Sequence, residues 1–132
     1  MQAFSRFPQA LMLRMGAKTT EEKDSFSTSH ITSLDFKKGD LVCGIYRVNL
    51  RKANKVEFDM QMKTVDFANG RLAISFSEEE DMIVFMSETI MWRRADECQI
   101  MPLERPAIQW MHETATMWLL DSGVRYLTDL EA

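Results

Sequence analysis

Val56, Phe58, Met60 and Met62 alternate with Glu57, Asp59, Gln61 and Lys63, the period of two expected of a half-buried strand. The pattern predicts a strand over 56–62. Asn69-Gly70 supplies a pair that accepts positive φ at both central positions of a type I′ turn, which predicts a hairpin. Its return strand, Arg71–Ser77, points Leu72, Ile74 and Phe76 to one side, and Glu78-Glu79-Glu80-Asp81 reads as a solvated turn. Met82–Trp92 is different. Met82, Val84, Met86, Ile90 and Trp92 share one face, while Ile83, Phe85 and Met91 share the other. A strand apolar on both faces needs cover on both, from a helix on one side and from another layer or subunit on the other.

Upstream, Leu41–Leu50 sets Val42, Tyr46, Val48 and Leu50 on one face, with a gap at Gly44. His30–Phe36 reads as a short strand ending in the turn Lys37-Lys38-Gly39-Asp40, and 17–28 reads as a polar loop. Pro8 and Gly16 bracket a first helix. Downstream, a long connection over 93–105 leads to Pro106, which opens a helix running to about Asp121. Ile108, Met111, Ala115, Trp118 and Leu119 form its apolar stripe, and Gly123 is the expected stop. The order is helix, about five antiparallel strands, helix. This is an α+β chain, with a curved antiparallel sheet gripping a C-terminal helix. The element order resembles a reduced helix-grip (START-like) arrangement, with a hotdog fold as the alternative.

At 132 residues the whole chain, 1–132, makes one domain. Sixteen basic and twenty acidic residues give a net charge of -4, which argues against a nucleic-acid surface. No apolar run approaches the ~20 residues of a membrane span. Cys43 and Cys98 are too few for a disulfide framework. The first twenty residues carry Arg6, Arg14 and Lys18 and no acid, a trait of mitochondrial presequences. The capping signals around Pro8 and Gly16 favour a packed helix, and the expected location is cytoplasmic.

Familiar catalytic motifs are missing. His112-Glu113 is followed by Thr116 where a zinc-protease helix needs its second histidine. With His30 and His112 as the two histidines of the chain, a multi-histidine metal site is ruled out, and neither metal nor cofactor is expected. Two groups stand out. Glu88 lies on the apolar Met82–Trp92 face, where desolvation raises a carboxyl pKa and suits it to acid/base work. A salt bridge to Arg47 or Arg125, or a bulge turning it outward, is the structural alternative and the more ordinary one. His112 sits at the margin of the helix stripe, where it serves either as a proton shuttle or as a hydrogen-bonded boundary residue.

Eleven methionines accompany eight phenylalanines and three tryptophans. Flexible thioethers adapt to irregular cores and to varied ligands. The first functional reading is an apolar cavity that binds, and converts by metal-free isomerisation, cyclisation or dehydration, a hydrophobic small molecule of acyl, polyketide-like or terpenoid type. Glu88 and His112 are its acid/base candidates, and Tyr46, Met86, Trp92 and Trp118 its lining. The second reading is a non-catalytic homodimeric interaction module whose Met82–Trp92 strand a second copy covers. The third is a hotdog-type acyl thioesterase with Glu88 as base.

Overall fold

A computed structural model describes residues 8–62 and 65–131. Among the described residues three short helices come first: α1 (Pro8–Met15), α2 (Thr20–Asp24) and α3 (Thr28–Ser33). Five strands follow, β1 (Leu41–Val42), β2 (Tyr46–Lys52), β3 (Lys55–Met60), β4 (Ala68–Glu79) and β5 (Met82–Arg93), then a 3-10 turn at Pro102–Glu104 and α4 (Pro106–Glu131). The curved sheet is a plain antiparallel meander, β1-β2-β3-β4-β5. The α+β class and the order of helix, antiparallel sheet and C-terminal helix follow the sequence reading. The residues before Pro8, which carry part of the presequence-like pattern, lie outside the described ones, as does Lys63.

Side-chain caps explain why 17–33 is neither loop nor strand. The Glu22 N–H donates to Thr19 Oγ1 at 3.2 Å, and Glu22 Oε2 accepts from the Thr19 N–H at 3.3 Å, a reciprocal capping box. Ser27 Oγ accepts from the His30 N–H at 3.1 Å and opens α3. The strand predicted over 30–36 is therefore a helical turn followed by extended chain. The strand predicted over 41–50 is broken at Cys43-Gly44, both at positive φ. That turn is pinned to buried Ser25: the Cys43 N–H donates to the Ser25 carbonyl at 3.0 Å, and the Gly44 N–H to Ser25 Oγ at 2.8 Å. A Cβ on Gly44 would stand 2.9 Å from the Phe26 ring, so this position needs glycine twice over.

Asn69-Gly70 is not a turn. Both residues lie inside β4, with Gly70 opposite Met60 on one side and Met91 on the other. A Cβ on Gly70 would come within 2.8 Å of Met60 Sδ; the glycine lets that side chain cross the strand. The tight turn falls later, at Glu80-Asp81 between β4 and β5.

Register sorts the two faces of the sheet. Val48, Phe58, Leu72 and Thr89 form one cross-strand row, flanked by Val56, Ile74 and Ser87. On this inner face Phe58 and Val48 are buried, and with Val42, Cys43, Phe26, Ile31 and Ala10 they make the core. The Phe58 ring meets Phe36 and Tyr46 edge-on at 6.2 and 6.1 Å. The core thus sits under α1–α3 at the β1–β3 end. The outer face carries Lys55, Glu57, Asp59 and Arg71 as an ion-pair ladder, with Arg71 2.9 Å from Asp59 and Lys55 2.8 Å from Glu57.

At the far end, α4 meets the sheet chiefly at β5. It runs through Gly123, the expected stop, and ends eight residues later. Nothing crowds Gly123, and a lone helical glycine costs about 1 kcal/mol, too little to end a long helix.

Candidate functional site

Gln109, Glu113, Thr116 and Leu120 follow one another at helical spacings of four, three and four, with His112 three residues after Gln109 and four before Thr116. That places them on one face of α4, turned towards Ser87 and Thr89 of β5. Together with Leu103 and Met117 they line an open groove of about 410 Å³. His112 is half-buried there, its Nε2 3.1 Å from Thr89 Oγ1. Burial holds its imidazole below the ordinary histidine range, with the Glu113 carboxylate acting weakly the other way. Gln109 Nε2 donates to Glu113 Oε1 at 2.9 Å. The entry to α4 is fixed by Glu104, whose Oε2 accepts from the Met101 N–H at 2.8 Å and from Arg93 Nη1 at 2.6 Å. Those two donors, the backbone one first, hold its carboxyl below the usual carboxylate range. Chemically, the groove offers hydroxyls, an amide and a neutral imidazole, which suit hydrogen bonding to a polar group.

The six residues singled out from sequence fall in different places. Glu88 stands opposite Ala73 on the outer face and is exposed, while the adjacent Thr89 points inwards to His112. The strand's alternation therefore puts Glu88 and His112 on opposite sides of the sheet. Met86 and Trp92 share the outer face with Glu88, and the Arg71 guanidinium lies 5.9 Å from the Trp92 ring centre. Tyr46 packs on Phe58 in the core, where burial pushes its hydroxyl up to about 12. Trp118 lies on α4, half-exposed. His112 alone of the six lines the groove.

Other surfaces of β5 and α4 are apolar and bare. Met82, Met86, Ile90 and Trp92 are all exposed on the outer face of β5, with Ile90 60% accessible. On α4 the packed edge consists of His112, Ala115, Thr116, Leu119 and Leu120. Trp110, Met117 and Val124, seven residues apart, run along the exposed side, with Met117 at the rim of the groove, and Trp110 and Met117 are 67% and 69% accessible. Met111 and Trp118 lie beside that line and are exposed as well. From Gly123 to Leu130 every residue is exposed, Tyr126, Leu127 and Leu130 among them. This overhang is about 12 Å long at 1.5 Å per residue. No helix among the described residues is long and apolar enough to cross a membrane.

Sequence reasoning missed Ser87, Thr89, Gln109 and Thr116. Their signal was a polar break in the otherwise apolar inner face of β5, matched by a polar stripe on the helix. Compared with known proteins, the chain matches no family model, no curated protein and no solved structure.

Proposed function

We propose that this chain is a non-catalytic interaction module that works as a homodimer, using the outer side of α4 and the β5 end of its sheet. The observation that carries this reading is the uncovered apolar side of α4. Its packed edge places Ala115, Leu119 and Leu120, with His112 and Thr116, against the chain's own sheet, while Trp110, Met111 and Trp118 stay exposed on the other side. A surface helix normally buries its apolar side, and contiguous exposed patches of aromatic and thioether groups mark protein contacts.

Area points the same way. The chain exposes 9289 Å², whereas a monomer of 15.4 kDa is expected to expose about 7,200 Å². The excess leaves room for an obligate homodimer contact, which buries about 1,000–2,500 Å² per partner. Sedimentation equilibrium at low micromolar concentration tests the reading. Twice the protomer mass supports it, and a strict monomer overturns it.

A second reading keeps the small-molecule hypothesis. The half-buried His112 beside Thr89 in a 410 Å³ groove favours a ligand that brings a hydrogen-bonding group between β5 and α4, its apolar part against Leu103, Met117 and Leu120. Native mass spectrometry of the purified protein tests it: a copurified compound lost in Thr116→Trp supports the reading, and a bare protein counts against it. Catalysis by Glu88 and His112 as a pair finds no support in a geometry that separates them.

A further inference from the structure

We infer that the two copies join edge to edge through β5, with the twofold axis at Ser87, making one continuous ten-stranded sheet. This rests on the proposed homodimer and goes beyond it by naming the element, the register and the axis.

The two edges of the sheet differ. β1 is two residues long, and His30 Nε2 donates to the Leu41 carbonyl at 3.0 Å, occupying an acceptor there. β5 is twelve residues long and pairs with β4 in unbroken register, with no strand on its other side among the described residues. It contains neither proline nor lysine, and Glu88 and Arg93 are its charges. Edge strands are normally protected by shortness, bulges, proline or lysine. β5 has none of these.

Backbone direction selects which residues bond outwards. The Phe76 N–H donates to the Asn54 carbonyl at 3.0 Å, and the Phe76 carbonyl accepts from Asn54 Nδ2 at 3.1 Å. Both groups of Phe76 therefore point away from β5, and so do those of the other even-numbered β4 residues. The ladder to β5 runs through Ser75, Ser77 and Glu79 with Met86, Val84 and Met82. Phe85, Ser87, Thr89 and Met91 are left with N–H and C=O directed to the free edge.

Charge then selects the register. Opposed residues of an antiparallel pair lie on the same face, so register changes in steps of two. Two registers pair β5 with its copy over nearly its whole length. One sets Glu88 directly opposite Glu88 of the second copy, a like-charge pair that destabilises. The other centres on Ser87. It sets Met86 opposite Glu88, Val84 opposite Ile90, and Met82 opposite Trp92, so the outer apolar stripe of each copy continues into the other. The rotation also leaves both α4 helices on the same face of the joined sheet, on either side of the axis.

Sedimentation and cross-linking together test this. The variant Ser87→Pro removes an N–H that points outwards, so the β4–β5 ladder is kept while the seam loses its central bonds; dimerisation should weaken more than about tenfold. In a Cys98→Ser background, Ser87→Cys should form an intermolecular disulfide under mild oxidation, because the two Cα atoms face each other at about 5.5 Å. Glu88→Cys should not. Efficient cross-linking through Glu88→Cys in place of Ser87→Cys overturns the register. A stable wild-type dimer that neither cysteine variant cross-links, and that Ser87→Pro leaves intact, overturns the β5 seam but keeps the homodimer. A monomeric wild type removes both.

Discussion

His112 Nε2 lies 3.1 Å from Thr89 Oγ1, a hydrogen bond between the first third of α4 and the edge strand. Burial lowers the imidazole pKa in the fold, so the unfolded chain takes up a proton first as pH falls. The contribution is complete above the unfolded value of about 6.5 and shrinks as pH drops from there towards the lower folded value. The urea midpoint of the wild type should therefore fall between about pH 7.5 and about pH 5.5 by more than that of His112→Gln. Equal slopes for the two proteins would remove His112 from the account.

Trp110 lies on the side of α4 away from the sheet and is 67% accessible, and Met117, at the rim of the groove, is 69% accessible. Replacing both by glutamine should change the stability of the fold by no more than about 0.5 kcal/mol, the usual range for surface positions. Self-association should weaken by more than about tenfold. Urea titration at high dilution reads the first quantity, and sedimentation equilibrium the second.

Phe58 is fully buried and receives edge contacts from Phe36 and Tyr46. Cutting it to alanine leaves a cavity in the densest part of the molecule, at an expected cost of about 3–5 kcal/mol. A calorimetric melt compared with that of Glu88→Gln, an exposed residue expected to cost little, gives the contrast.

Gly70 allows Met60 to cross β4. Gly70→Ala should cost about 1–3 kcal/mol through overpacking, and much of that cost should vanish when Met60 is also alanine. A double-mutant cycle on urea midpoints measures the coupling. Additive single effects would mean that the clash is relieved elsewhere.

The sequence displayed its strands best where one face is wet. In β3, Glu57 and Asp59 alternate with Val56 and Phe58, and the period of two survives in the structure. Short helices were harder, because α2 and α3 owe their existence to the Thr19 and Ser27 side chains rather than to apolar periodicity. Asn69-Gly70 misled because the same dipeptide serves a turn and a close crossing, and only the packed Met60 distinguishes them. His112 was legible as a boundary residue. Its partner Thr89, 23 positions earlier, was hidden because nothing local records a strand–helix contact. Glu88 was correctly assigned to an apolar face of β5. Pattern alone cannot tell whether a protomer's own core or another molecule covers such a face.

The contrast between a two-residue β1 and a twelve-residue β5 would set the valency of the proposed assembly. An isologous contact uses the bare edge of each copy against the other, and both outer rims of the combined sheet are then β1, short and tied down by His30. In the proposed dimer growth stops at two. A chain with two bare edges would add copies without limit and end as a fibre; this one carries its terminator at the opposite rim, in the residues that fold its core.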